Sequence, residues 1–274
     1  MVSYQPVHLE TAGRPVVSVV VPLRNEEGAV AALVGGIAAA LDRLAFEVLL
    51  VDDGSTDRTR AICLSLAAAD ARVRVLAHPV SAGQSAALHS GVLAARAEVV
   101  ATIDGDGQNP PDNLPRLIAP LLAADVAADC GLVAGQRTGR KDSLSKRLAS
   151  RVANGVRAAI LRDGTRDTGC GLKAFRRTAY LALPYFNHMH RYLPALFARD
   201  GWKVRLVDVT HAPRRTGRSK YGNLDRALAG IVDLAGVAWL IHRRKRVCAV
   251  ALDGSPADRA AAAAEADEPT GRKT

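Results

Sequence analysis

Val99-Val100-Ala101-Thr102-Ile103-Asp104-Gly105-Asp106-Gly107-Gln108 runs from an apolar segment straight into an acidic tip. In extended chain, residues two apart point to the same side. Asp104 and Asp106 can therefore offer both carboxylates to one hard divalent cation, with the Gln108 amide as a further oxygen. The glycines between them allow backbone and ligand to approach closely. Asp-Gly pairs also punctuate ordinary turns, so the rest of the chain has to decide between a turn and a site.

Upstream, Val16-Val17-Ser18-Val19-Val20-Val21-Pro22 is a β-branched run suited to a strand covered on both faces. It is followed by an Ala/Leu-rich helical stretch, Glu26 to Leu44. A second run, Glu47 to Val51, ends in Asp52-Asp53-Gly54-Ser55-Thr56-Asp57 and precedes a helix from Arg58 to Ala69. A third, Val73 to Ala77, leads through Ser81-Ala82-Gly83 into a helix from Gln84 to Ala95, and the fourth ends at Asp104. This alternation predicts βαβ units and a Rossmann-like, mainly parallel sheet flanked by helices, an α/β fold. Ligands of such sheets sit beyond the carboxyl ends of the strands. Arg24-Asn25-Glu26, Asp52-Asp53, Ser81-Ala82-Gly83 and Asp104-Gly105-Asp106 all fall there, which favours a site over a set of turns. The first strand runs into Pro22-Leu23-Arg24-Asn25 and not into Gly-x-Gly-x-x-Gly, which argues against a dinucleotide fold. A calcium loop counted from Asp104 fails too, because Pro115 stands where the closing glutamate is required.

The 274 residues, 49% of them hydrophobic, are enough to bury a full core. Cys63, Cys130, Cys170 and Cys248 form no Cys-x-x-Cys pair, which speaks against a zinc site or a disulfide framework and fits a reducing cytosol. Met1 to Arg14 lacks the basic start and apolar run of a secretory signal, so a cytoplasmic location is expected. The formal charge of +10 calls for an anionic partner: nucleic acid, an acidic membrane surface or a phosphorylated substrate. With 4% aromatics and no zinc-finger or ribonucleoprotein pattern, nucleic acid is set aside.

Past Pro110-Pro111 a helix is expected to about Ala124 and a strand near Gly131 to Gly135. Arg137 to Arg162 is strongly basic; if Leu144 to Leu161 is helical, Lys146, Ser150 and Asn154 share one face. Arg166 to Lys173 reads as a polar loop, and Arg214-Arg215-Thr216-Gly217-Arg218-Ser219-Lys220 as a loop suited to phosphate. His188-Met189-His190 has no evident third ligand for a metal. Ala227 to Ile241 is apolar, interrupted by Asp233, too short to span a bilayer, and followed by His242-Arg243-Arg244-Lys245-Arg246 with Trp239 nearby. Such a segment suits either a membrane interface or packing on the catalytic domain. The resulting division is 1–14 as an N-terminal tail, 15–222 as the catalytic domain, 223–252 as a helical appendage and 253–274 as a disordered tail.

VSVVVPLRNEE, VLLVDDGSTDRT, SAGQSAALHSG, IDGDGQNPP, VAGQR, DTGCGLKAFRR, HRYLPAL and RRTGRSKYG occur in that order between residues 16 and 222. Together they resemble the family 2 glycosyltransferases of GT-A fold, and in particular the branch that glycosylates polyprenyl phosphates. The resemblance implies a nucleotide-diphosphate-sugar donor, a UDP-sugar or GDP-mannose. It implies that Pro22, Arg24, Asn25, Glu26 and Asp53, with Gly83 and Gln84, bind the donor, and that Asp104, Asp106 and Gln108 hold Mg²⁺ or Mn²⁺ on its diphosphate. Arg137, Lys146, Ser150 and Ser219 would grip the acceptor phosphate, and Arg214 and Lys220 would close over the donor phosphates. Lys146 stands where an arginine is usual, keeping the charge and losing the bidentate fork. Arg147, Arg151 and Arg157 remain as surface.

A phosphate monoester has a second pKa near 6 and is already anionic at neutral pH. The implied reaction is therefore direct, inverting displacement at the anomeric carbon, driven by positioning and charge stabilisation, with Asp167 orienting acceptor or sugar. Many relatives carry transmembrane helices after the catalytic domain. Here the chain continues into a polar tail, so membrane contact, on the cytoplasmic face, falls to the 227–246 segment or to a membrane partner protein, or is not made at all. Two other readings stay open: a family 2 transferase acting on a soluble or polysaccharide acceptor, and a non-catalytic, membrane-associated binding protein.

Overall fold

The computed structural model describes residues 14–123, 129–137, 155, 157, 160–161, 163–165, 167, 169–212 and 223–244, with the backbone alone for 223–229. The strands are β1 (Val17–Leu23), β2 (Phe46–Asp53), β3 (Val73–His78), β4 (Val99–Thr102), β5 (Cys130–Arg137), β6 (Lys173–Arg176) and β7 (Lys203–Val209). The helices are α1 (Val30–Ala40), α2 (Thr59–Ala69), α3 (Gln84–Ala94), α4 (Leu114–Leu122), α5 (Arg177–Leu181), α6 (Leu193–Arg199) and α7 (Asn223–His242). The strands make one sheet in the order β3-β2-β1-β4-β6-β5-β7. β6 runs antiparallel to both its neighbours, while the other pairings are parallel. The expected α/β architecture with a mainly parallel sheet is what the chain forms.

Alternation along β1 feeds two cores. Val17, Val19, Val21 and Leu23 face one cluster with α1, α2 and α4. Val20, with Leu49 and Val51 of β2, faces the other, with α3, α5 and α6. Burial of both faces is why these strands read as continuous apolar runs. Val30, Leu33, Val34 and Ile37 form the inward stripe of α1, and Leu114, Leu117, Ile118 and Leu121 that of α4, each at helical spacing. Cys63, Cys130 and Cys170 are free, buried thiols, and burial pushes that of Cys63 up to about 11.

Two strands lie outside the expected pattern. β6 is four residues long with a basic residue at each end, and only Ala174 and Phe175 mark it as core. β7, at the edge of the sheet, is exposed or half-buried from Lys203 to Asp208 and buried only at Val209. Lys173 thus opens a strand in place of closing a polar loop.

The chain builds β1, β2 and β3 outward in one direction and then returns to place β4 on the other side of β1. Such a reversal point in a parallel sheet is where a ligand crevice opens. β4 pairs with β1 only from Val17 to Val20, so Pro22 lies beyond that ladder, where its missing N–H leaves no β4 bond unmade. Among the described residues, no helix is long and apolar enough to cross a membrane.

Residues up to Ile241 form one compact unit and those from His242 a second. Of the second, His242, Arg243 and Arg244 are described, and all are exposed.

Candidate active site

The loops after β1 and β2 are zipped together. Asn25 takes the left-handed conformation that asparagine tolerates, and its Oδ1 accepts from Thr56 N at 2.8 Å while its own N–H donates to Ser55 Oγ at 3.0 Å. Glu26 N donates to Thr59 Oγ1 at 2.8 Å, and Arg24 is exposed at the mouth. Behind them the fully buried Asp52 accepts from Ser55 N and Arg60 Nε.

Asp53 organises the loop after β3. Its carboxylate accepts from His78 Nδ1 (2.7 Å), Ser81 Oγ (2.7 Å), Ala82 N (2.8 Å) and Gly83 N (2.9 Å), which fills its acceptor positions. Burial pushes this carboxyl upward, but those hydrogen bonds outweigh it and hold it below its ordinary value of 3.8. The stabilisation is therefore complete above pH 3.8 and is lost as pH falls through the lower, folded value. Asp53→Asn turns an amide N–H₂ toward existing donors and is expected to cost about 2 kcal/mol at neutral pH. Chemical denaturation across pH should show the gap between the two proteins closing below pH 3.8.

Asp104 follows β4, half-buried, between two amides: Gln84 Nε2 donates to its Oδ1 at 2.8 Å and Asn109 Nδ2 to its Oδ2 at 3.1 Å. Burial raises its carboxyl above the usual range, and the charge of Asp106 adds to this, while Lys173 and Arg137 oppose it. Asp106 is half-buried, with Gln108 N donating to its Oδ1 at 3.1 Å. The acidic loop packs directly on the β1 tip, since a Cβ on Gly105 would fall 2.4 Å from Leu23 Cδ2 and 2.9 Å from Pro22 O. It is also tied to the chain beyond β7, where Ala212 N donates to Gln108 O at 2.8 Å.

Arg137 ends β5 and grips Asp167 with both arms of a fork, Nε to Oδ2 at 2.5 Å and Nη2 to Oδ1 at 2.8 Å. Burial pushes the Asp167 carboxyl up, but Arg137 overrides it and holds it below the usual range. Gly169 and Gly171 link this pair to the acidic tip: a Cβ on Gly169 would meet Arg137 Nη2 at 3.1 Å, and one on Gly171 would meet Asp104 Oδ2 at 2.1 Å. Asp167 is thus joined to Arg137 and not aimed into the crevice on its own. Arg157, expected at the surface, is instead buried and paired with Asp163.

Three residues of this neighbourhood were not assigned to the site from the sequence. Asn109 is 3% exposed and fixes Asp104. Lys173 is buried, its ammonium bonded to Cys170 O, and burial lowers its pKa against the opposing pull of Cys170 and Asp104. His190 Nδ1 lies 2.7 Å from Ser85 Oγ, and burial, reinforced by Lys173 and Arg191, pushes its pKa down to about 3, so the ring is neutral. A lysine opening an otherwise apolar Ala-Phe pair was the only available signal. His188 points elsewhere, its Nδ1 on Asp233 Oδ2 at 2.9 Å, so the two histidines serve different contacts. Lys146, Ser150, Arg214, Ser219 and Lys220 lie outside the described residues.

Residues 18–183 match the family model for glycosyl transferase family 2. The chain belongs to that family. Over 234 residues it is 34% identical to the dodecaprenyl-phosphate galacturonate synthase of Rhizobium johnstonii, covering 84% of this chain and 68% of that protein. It is 35% identical over 212 residues to the undecaprenyl-phosphate 4-deoxy-4-formamido-L-arabinose transferase of Aeromonas hydrophila, covering 75% of this chain and 63% of that one. The chain therefore spans about two thirds of the length of these relatives. The fold is shared with crystal structures of glucosyl-3-phosphoglycerate synthase from Mycobacterium tuberculosis at 22% identity. The complex with Mn²⁺, UDP and glucosyl-3-phosphoglycerate has a TM-score of 0.61, covering 84% of this chain and 80% of that one. The complex with Mg²⁺ and UDP has a TM-score of 0.60, covering 82% and 80%.

The acidic tip suits a divalent cation. It supplies two carboxylates whose charges oppose each other, held in place by amides, and Mg²⁺ is commonly bound by one or two carboxylates plus substrate phosphates. No group of three or more His, Cys, Asp or Glu side chains able to hold a metal occurs among the described residues, so donor phosphate oxygens would have to complete the coordination.

Proposed function

We propose that this glycosyltransferase moves a sugar from a nucleotide-diphosphate sugar to a polyprenyl phosphate, with inversion, at the cytoplasmic face of a membrane. The observation that carries this reading is that Gly171 abuts the Asp104 carboxylate while Asp167 and Gly169 lie against Arg137. The reaction joins two anions, and this arrangement offers each a separate anchor. The two polyprenyl-phosphate sugar transferases at 34% and 35% identity support the choice of acceptor.

Asp104, Asp106 and Gln108 would hold Mg²⁺ or Mn²⁺, which when bound neutralises charge developing on the nucleoside-diphosphate leaving group. Gln84 and Asn109 keep the Asp104 carboxylate oriented toward that task. Pro22, Arg24, Asn25 and Glu26 border the donor's nucleotide, with Gly83 and Gln84 on the facing loop. Asp53 serves the donor through the Ser81–Gly83 backbone, since its own oxygens are engaged. Arg137 meets the acceptor phosphate with its Nη1 edge, while Asp167 fixes the opposite edge. Lys146, Ser150 and Ser219 would add to that grip, and Arg214 and Lys220 to the donor's. A phosphate oxygen forms the new bond to the anomeric carbon as the bond to the diphosphate oxygen breaks. The nucleophile arrives ionised, so no general base is assigned and Asp167 remains a positioning carboxylate.

Purified protein incubated with a panel of nucleotide sugars, undecaprenyl phosphate and Mg²⁺ or Mn²⁺ is expected to yield a lipid-linked sugar detectable by mass spectrometry. Chelation with EDTA should stop the reaction. Transfer to soluble saccharides with none to the lipid from any donor would overturn the acceptor assignment.

A further inference from the structure

α7 has two apolar faces, and only one is used. The inner face lies on the catalytic body: Val237 is 1% exposed, and Leu234, Leu240 and Ile241 pack against the second core. Three polar contacts fix its rotation. Tyr192 Oη donates to Gly230 O at 3.3 Å, His188 pairs with Asp233, and Arg199 Nε donates to Leu240 O at 3.0 Å.

That rotation turns Ile231, Val232, Ala235, Gly236 and Trp239 to the outside, with Ile231 66%, Val232 70% and Trp239 59% exposed. These five are all the exposed positions between Gly230 and Ile241, and none carries a charge. A helix face turned permanently to water normally carries polar side chains. In sequence, the helix then runs into His242-Arg243-Arg244-Lys245-Arg246.

We infer that the outer face of α7 is a membrane-docking surface whose occupant is an anionic lipid bilayer, with the helix lying in the interface plane. The order along the chain is that of an interfacial helix: aliphatic residues for the acyl boundary, tryptophan at headgroup level, then cations for lipid phosphates. Charge separates this occupant from a second copy of the chain, since a protein of net charge +10 repels its like and is drawn to an anionic surface. Size does the same, because a stable dimer buries roughly 1,200–2,000 Å² and three large side chains on one helix fall short of that. The inference rests on the reading that the acceptor is a membrane lipid, and it explains how a chain whose described helices do not span a bilayer reaches it.

The test is co-sedimentation of the full chain with vesicles of phosphatidylglycerol and phosphatidylcholine that contain no polyprenyl phosphate. The unaltered protein should bind, and bind less to phosphatidylcholine alone or at high salt. The double variant Val232→Ser, Trp239→Ser should partition at least about tenfold less, whereas Leu64→Ser, at an exposed leucine of α2, should partition like the parent. All three should melt alike and transfer sugar equally to detergent-dispersed undecaprenyl phosphate. Equal partitioning of parent and double variant, or absence of binding by the parent, would overturn the inference. So would a dimer in sedimentation velocity that the double variant dissolves, because a second copy would then cover the face. Vesicle binding without transfer to polyprenyl phosphate would sink the acceptor assignment and leave the docking surface standing; transfer without vesicle binding would do the reverse.

Discussion

Asp106→Asn is expected to lower turnover by at least about a thousandfold, roughly 4 kcal/mol of transition-state stabilisation, while the protein stays folded. The fold should survive because Asp106 is only half-buried and the hydrogen bond from Gln108 N to its Oδ1 can still be made by the asparagine carbonyl. What the substitution removes is one of the two negative charges that the proposed function assigns to holding a divalent cation. A transfer assay over a Mg²⁺ or Mn²⁺ titration, with thermal melting alongside, reads both halves. Unimpaired turnover would remove the metal role from Asp106.

Gly171→Ala is expected to combine at least about a hundredfold loss of activity with a stability loss of about 1–3 kcal/mol. The added methyl would lie 2.1 Å from Asp104 Oδ2 and 2.2 Å from its Cγ, far inside contact distance. The backbone cannot yield freely, because Gly171 O accepts from Thr102 Oγ1 at 2.7 Å within the sheet. Nor can Asp104 move without losing Gln84 and Asn109. Gly35→Ala in α1 is the control: nothing lies within 4 Å of its would-be Cβ, so a helical alanine should be neutral or stabilising by up to about 1 kcal/mol. Full activity in Gly171→Ala would show that Asp104 need not stay where the amides hold it.

Both predictions depend on contacts of unequal visibility in the sequence. Asp104 and Asp106 were legible because they terminate an apolar run, and a strand buried on both faces has to end in polar residues as it leaves the core. The same reasoning located Asn25, Glu26, Asp53 and Gly83 at one edge of the sheet. It failed for β6, where Lys173 and Arg176 bracket two core residues, because a short strand with a basic residue at each end carries no periodicity to detect. It also could not see that Arg137 is paired with Asp167, or that Arg157 is buried against Asp163. Charge runs look alike in sequence whether they face water or a carboxylate.

The sequence by itself determined the alternation of strands and helices, the polar strand ends and the family to which the chain belongs, all of which are encoded over short distances. Only the tertiary structure decided which of those polar groups meet. Asp167 reaches Arg137 across 30 residues, and His190 reaches Ser85 across 105. β6 slots antiparallel between β4 and β5, and this brings Gly171 against Asp104. The physical reason is that strand order, unlike strand formation, is set by how distant apolar faces pack, and side chains at the strand ends inherit their partners from that packing.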